Sequence, residues 1–147
     1  MKRNLALATF ILACVVVFGF VFLLSIDVVT SRYTTLAAAR ADNLFSRGWL
    51  PDILPPSATN IRTSNNLDIN TSDGEFSFVP SEYSLLAARV QPYKTMRTPF
   101  ANFGKDATRM QSKGFLLSTY AEEDSIWVFF CKPAKGYCEY SMWLRRG

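Results

Sequence analysis

"GFLLSTYAEEDSIWVFFCKPAKGYCEYSMWL", residues 114–144, decides the fold. It reads as three strands, "GFLLSTYA", "SIWVFFC" and "YCEYSMWL", with "EEDS" and "KPAKG" between them as turns. Short β-rich runs joined by such turns form an antiparallel meander. The middle run is apolar at every position from Ile126 to Cys131. A strand that offers no polar face belongs inside the sheet with a helix over it. The last run alternates, with Tyr137, Glu139 and Ser141 on one face and Cys138, Tyr140 and Met142 on the other.

Cys131 and Cys138 flank the second turn. Across a tight hairpin their side chains can face each other, and a disulfide is the leading reading. In the loop-entropy picture it stabilises by about 2–3 kcal/mol. Two free core cysteines are the alternative. Redox catalysis or a metal site is the weakest reading, because the spacing is not CxxC and no third ligand is evident.

Upstream, residues 91–113 are the least regular part, with Pro92, Pro99 and Gly104. From Arg89 to Lys113 the chain holds six basic residues and one acid, Asp106. A solvated loop is the default reading. The functional one is electrostatic contact with anionic lipid headgroups or a polyanionic surface, with Lys94, Arg97, Lys105 and Arg109 as candidates. Before it, "PSEYSLLAARV" reads as a helix capped by Ser81, with Tyr83, Leu86, Ala87 and Val90 inward. Two further strands are expected. One runs near Asn60 to Asn70, with Ile61, Leu67 and Ile69 buried. The other runs from Glu75 to Val79, with "TSDG" as the turn between them.

"RGWLPDILPPS", residues 47–57, packs one tryptophan and three prolines into a junction. The preceding "VVTSRYTTLAAARADNLFSRG" has a helical apolar period and ends in Gly48, which suits a left-handed cap that folds Trp49 back on Leu44. Pro51, Pro55 and Pro56 then fix the path of Trp49, Leu50, Ile53 and Leu54. These four apolar residues either plug the core or form an exposed partner-binding segment.

The N-terminal quarter holds "LALATFILACVVVFGFVFLLSI", Leu5 to Ile26, 22 residues without a charge. At 1.5 Å per residue it reaches roughly 33 Å, against a hydrocarbon core of roughly 30 Å. A cleaved secretory signal has a shorter apolar part and a small-residue cleavage site, so a retained anchor is the stronger reading. "ILAC" at Cys14 loosely resembles a lipobox, but Cys14 is more simply a small apolar filler. Lys2 and Arg3 before the run mildly favour a cytoplasmic N-terminus. The expected organisation is a cytoplasmic tail (1–4), a transmembrane helix (5–26), a juxtamembrane helix (27–48) and an extracytoplasmic domain (49–147). The expected fold class is α+β, a small antiparallel sheet with one or two packed helices.

The 147-residue chain carries a net charge of +4. Lys2 and Arg3 are two of its sixteen basic residues, leaving fourteen against twelve acids from Asp27 onward, too even a balance for a nucleic-acid partner. There is no histidine, which removes the commonest general base and metal ligand. "DINTSDGE" from Asp68 has part of a calcium loop's alternation, but its glycine comes one place late and Val79 stands where the bidentate glutamate belongs. Glu122, Glu123 and Asp124 read as a solvated turn. No cofactor and no metal are expected.

Gly48-Trp49-Leu50-Pro51, Leu54-Pro55 with Ser57, Leu67-Asp68 and Gly74-x-Phe76 together resemble the YbbD head family of small bacterial membrane-anchored proteins. The resemblance implies an envelope location and supplies no catalytic residues. The resulting expectation is a non-enzymatic, single-pass protein that binds the bilayer and a partner or surface, in one specific form an immunity or inhibitor protein. The alternatives are an anchored envelope enzyme using carboxylates, or an accessory subunit whose membrane helix is its interface.

Overall fold

The computed structural model describes residues 27–145. The expected transmembrane run 5–26 and tail 1–4 lie outside the described residues. No helix among the described residues is long and apolar enough to cross a membrane.

Among the described residues, seven strands form one sheet: β1 (Val28–Thr35), β2 (Thr59–Asn66), β3 (Thr71–Ser77), β4 (Gln91–Pro92), β5 (Leu116–Glu122), β6 (Ser125–Lys132) and β7 (Tyr137–Leu144). Their spatial order is β1-β2-β3-β7-β6-β5-β4, and every neighbouring pair is antiparallel. The helices are α1 (Leu36–Ala41), α2 (Tyr83–Ala87) and α3 (Phe103–Ser112). The fold is α+β, with the three C-terminal strands where the sequence places them and β6 covered on both faces.

The helix expected over 27–48 is corrected. Val28–Thr35 is a strand, paired from Val28↔Asn66 to Thr35↔Thr59. Its β-branched residues Val28, Val29, Thr30, Thr34 and Thr35 favour the extended chain over the helical period that begins at Tyr33. The helical part starts at Leu36, where the Thr35 side chain accepts a hydrogen bond from Ala38 N at 3.2 Å. Two left-handed closures then follow each other. Asn43 (φ 56°) ends α1, with Leu44 N donating to Ala39 O at 3.3 Å. Gly48 (φ 73°) ends the next turn, with Trp49 N donating to Leu44 O at 3.2 Å and Gly48 N to Phe45 O at 2.9 Å. The second is a Schellman closure, the geometry that glycine adopts without strain.

That double turn swings residues 44–58 across one face of the sheet. Leu44, Leu50, Ile53, Leu54 and Ala58 are buried there against Ile61, Phe76, Phe129 and Tyr140. Pro51 and Pro55 are also fully buried. Each fully buried Leu or Ile contributes about 1.5–3 kcal/mol of transfer free energy. Arg40 lies 4.5 Å over the Phe45 ring and pairs with Asp52. Leu36 N donates to Ala58 O at 3.1 Å, closing the two ends of this cover. Ser57 ties it to the β3–α2 connection: its hydroxyl accepts from Val79 N at 2.9 Å and its amide donates to Glu82 Oε2 at 3.0 Å. Gly74 lies under the Tyr140 ring, where an added Cβ would come within 2.7 Å of the ring and strike the Arg62 carbonyl.

Three further expectations are corrected. The β2–β3 turn is residues 67–70, not "TSDG", and Leu67 and Ile69 are exposed on it. Asn66 Oδ1 accepts from the amides of Asp68 and Ile69 at 3.1 and 3.3 Å, a local turn that competes with further pairing. The helix after Pro80 is short. A 3-10 turn over Pro80–Glu82 leads into the five residues of α2, Ser81 makes no cap, and Leu86 is buried whereas Ala87 is exposed. Residues 91–113 contain a ten-residue helix, α3, rather than a solvated loop throughout. Phe103, Ala107 and Met110 share its inward face over β6.

Candidate binding cleft

The second face of the sheet is covered only in part. Phe103 and Ala107 of α3 pack on Val128, Phe130 and Trp143. Phe100 and Phe103 meet the Trp143 ring edge-on at 5.9 and 5.4 Å between centroids. Trp143 follows Met142, and both are buried although they point to opposite faces. Past this cluster, at the end of β7, a cleft of about 610 Å³ remains open. Met96, Pro99, Ile126 and Trp143, with the exposed Ile69 and Leu144, give it its apolar lining. Thr98, Arg97 and Arg145 supply the polar side. Arg97 and Arg145 take part in none of the ion pairs among the described residues. The volume falls in the range of about 300–1,000 Å³ that accommodates small ligands.

Beyond β7 the same face turns polar. Arg62 Nε donates to Glu75 Oε1 at 3.0 Å. Tyr137 Oη donates to Glu75 Oε2 at 2.7 Å and lies 3.2 Å from Glu139 Oε1. Glu75 and Glu139 are directly opposed in the β3–β7 register. The hydrogen bonds from Tyr137 and Arg62 hold the Glu75 carboxyl below its ordinary value. Burial and then the Glu75 hydrogen bond push the Tyr137 phenol well up. A carboxylate held ionised is a poor general acid, and a phenol held protonated is a poor general base.

Cys131 and Cys138 sit directly opposite each other on β6 and β7 and are joined by a disulfide. Both are fully buried beneath the 44–58 cover. The exposed-segment reading of Trp49, Leu50, Ile53 and Leu54 is corrected: Trp49 is half-buried against the core and the other three are inside it. Of the four basic candidates, only Arg97 lines the cleft. Lys94, Lys105 and Arg109 are exposed elsewhere, and Arg109 Nη2 pairs with Asp106 Oδ1 at 2.9 Å. Arg145, Trp143, Ile126 and Met96 carry no functional signal in the sequence beyond one: Trp143 is a large apolar residue on the face that the strand's alternation makes polar.

Residues 27–77 match the family model of the YbbD head domain. No curated protein and no solved structure matches the chain. The matched span runs from β1 through β3 with the proline-rich cover between them. Nearly every motif residue in it serves the packing. Gly48 closes the turn, Leu50, Pro51, Leu54 and Pro55 are buried, Ser57 ties the cover, and Gly74 admits Tyr140. This half-sheet leaves its core unfinished without Phe129, Cys138 and Tyr140 of the unmatched part. Apart from Ile69, the cleft residues also lie beyond the matched span.

Proposed function

We propose that this chain, with a YbbD head domain match over residues 27–77, is a single-pass protein of the bacterial inner membrane that acts by binding rather than by catalysis. In this reading residues 1–4 are cytoplasmic, the uncharged run 5–26 crosses the bilayer, and the folded part lies in the periplasm. The Cys131–Cys138 bridge supports an oxidising compartment, where such pairs persist. The observation that carries the binding role is the cleft, lined by apolar side chains together with Arg97 and Arg145. An immunity or inhibitor protein is one form that this role takes.

Alkaline carbonate washing tests the anchor, and protease added to spheroplasts tests the orientation. The full-length chain stays with the membrane and its C-terminal part is digested. Release by carbonate, or protection from protease, contradicts the reading.

A second reading, an anchored enzyme using carboxylates, is favoured by one observation: Glu75 and Glu139 share the Tyr137 hydroxyl on an open sheet face. Complementation of a deletion strain separates the two. Glu75→Gln with Glu139→Gln retains the wild-type phenotype if the protein binds and loses it if those carboxylates catalyse.

A further inference from the structure

We infer that the cleft at the end of β7 takes the headgroup and upper acyl chain of an anionic lipid from the leaflet beside it. The inference rests on the anchoring reading above and names the ligand of that same cleft.

Position is the first argument. The start of β1, the β2–β3 turn and the end of β7 lie at one end of the sheet, as the partners Val28↔Asn66 and Thr71↔Trp143 require. The apolar run ends one residue before Asp27, and Leu67 N donates to Asp27 O at 2.8 Å. Three strand spacings separate β1 from β7, about 14 Å at roughly 4.8 Å each. A chain that leaves the bilayer at Asp27 therefore holds the cleft close to the headgroup layer.

Surface chemistry is the second. Of the eight large apolar side chains exposed among the described residues, five, Val28, Val29, Leu67, Ile69 and Leu144, belong to this end. Isolated exposed apolar residues are ordinary, but a group of them at one end marks an interaction surface. Ile69 and Leu144 of this group also line the cleft.

Charge is the third, and it narrows the ligand. The same end carries acids: Asp27, Asp68 and the β5–β6 turn with Glu122, Glu123 and Asp124. They oppose a general attraction of this end to an anionic surface. Arg97 and Arg145 line the cleft, where they can bind a phosphate as bidentate donors while the apolar walls take alkyl chain. The pattern selects one headgroup at one place.

The test uses the full-length chain in phosphatidylcholine nanodiscs. These contain a small fraction of phosphatidylglycerol with a photoactivatable group high on its acyl chain, or phosphatidylcholine labelled in the same way. After illumination, adducts of the phosphatidylglycerol probe concentrate on residues 96–99 and 143–145, at least fivefold above the phosphatidylcholine probe. Arg97→Gln with Arg145→Gln lowers that yield at least fivefold with no change in melting temperature. Lys105→Gln with Arg109→Gln leaves it unchanged. Equal labelling by the two probes, labelling confined to other residues, or indifference to the Arg97 and Arg145 changes overturns the inference and leaves the anchor intact. Loss of the cleft adducts in native membrane vesicles, where a protein partner covers the site, also overturns it. A chain that does not co-purify with the discs overturns the anchoring reading together with the inference.

Discussion

The two faces of the sheet are closed in different ways. Over the first, residues 44–58 lay down five buried apolar side chains and two buried prolines, tied at both ends by hydrogen bonds and lying over a disulfide. Over the second, a single ten-residue helix and a few aromatics cover β5 and β6, a cleft stays open beside them, and the rest of the face is polar. The first cover is irregular chain and the second is built around a helix. What separates them is how many backbone and side-chain constraints fix each one. The first is tied down at many points, and the second leaves accessible surface open.

The largest effect falls on the first face. Leu50→Ala removes a side chain that is 1% exposed and costs about 3–4 kcal/mol, read by urea unfolding, in the usual range for core truncation. Phe100→Ala on the second face, where the ring is only half-buried, costs about half as much. Equal losses would erase the distinction between the faces. Reducing the Cys131–Cys138 bridge comes next, at about 2–3 kcal/mol of stability for so short a loop, followed as a fall in the urea midpoint with and without reductant.

A smaller effect has the opposite sign. Thr63 is fully buried on the first face and its hydroxyl has no hydrogen-bond partner. Thr63→Val keeps the shape and removes that orphan, so it raises stability by about 1 kcal/mol. A loss there would mean that the first face is less dry than its packing implies. The smallest effect lies on the open polar face. Glu75 titrates below its ordinary value of 4.5 in the folded chain, so its contribution is complete above that value and disappears as pH falls through the lower folded value. Its side chain and that of Arg62 are 34% and 30% exposed, so screening keeps the loss in Glu75→Gln to less than about 1 kcal/mol at pH 7. Urea midpoints of wild type and variant converge below pH 4.5.

Legibility in the sequence follows the same division. The β5–β6–β7 meander and its facing cysteines are legible because alternation and turn chemistry agree there. Gly48 and Trp49 are legible because a left-handed cap leaves a local signature. Strand β1 is hidden because "TTLAAAR" carries a helical period across the point where Thr35 ends the strand and caps the helix. The interior of β2 and β3 is hidden because it is partly polar: Asn65, Ser72 and Tyr140 satisfy one another in the core, with Ser72 Oγ 2.7 Å from Asn65 Oδ1. Helix α3 is masked by Gly104 and by the surrounding basic residues, whose charge pattern is stronger than the apolar spacing of Phe103, Ala107 and Met110. Of the cleft, only Arg97 is a candidate from sequence, because Ile69, Ile126 and Trp143 are far apart in the chain and meet only through strand register.

Hydrogen exchange of the full-length chain in lipid nanodiscs tests the division between the faces most directly. The account predicts that amides in β2, β3, β6 and β7 and the bonded amides of Leu44, Trp49, Ile53 and Ala58 exchange only through global unfolding, whereas those of α3 and residues 93–102 exchange earlier through local opening. Protection of α3 equal to that of β7, or early exchange across 44–58, would contradict it.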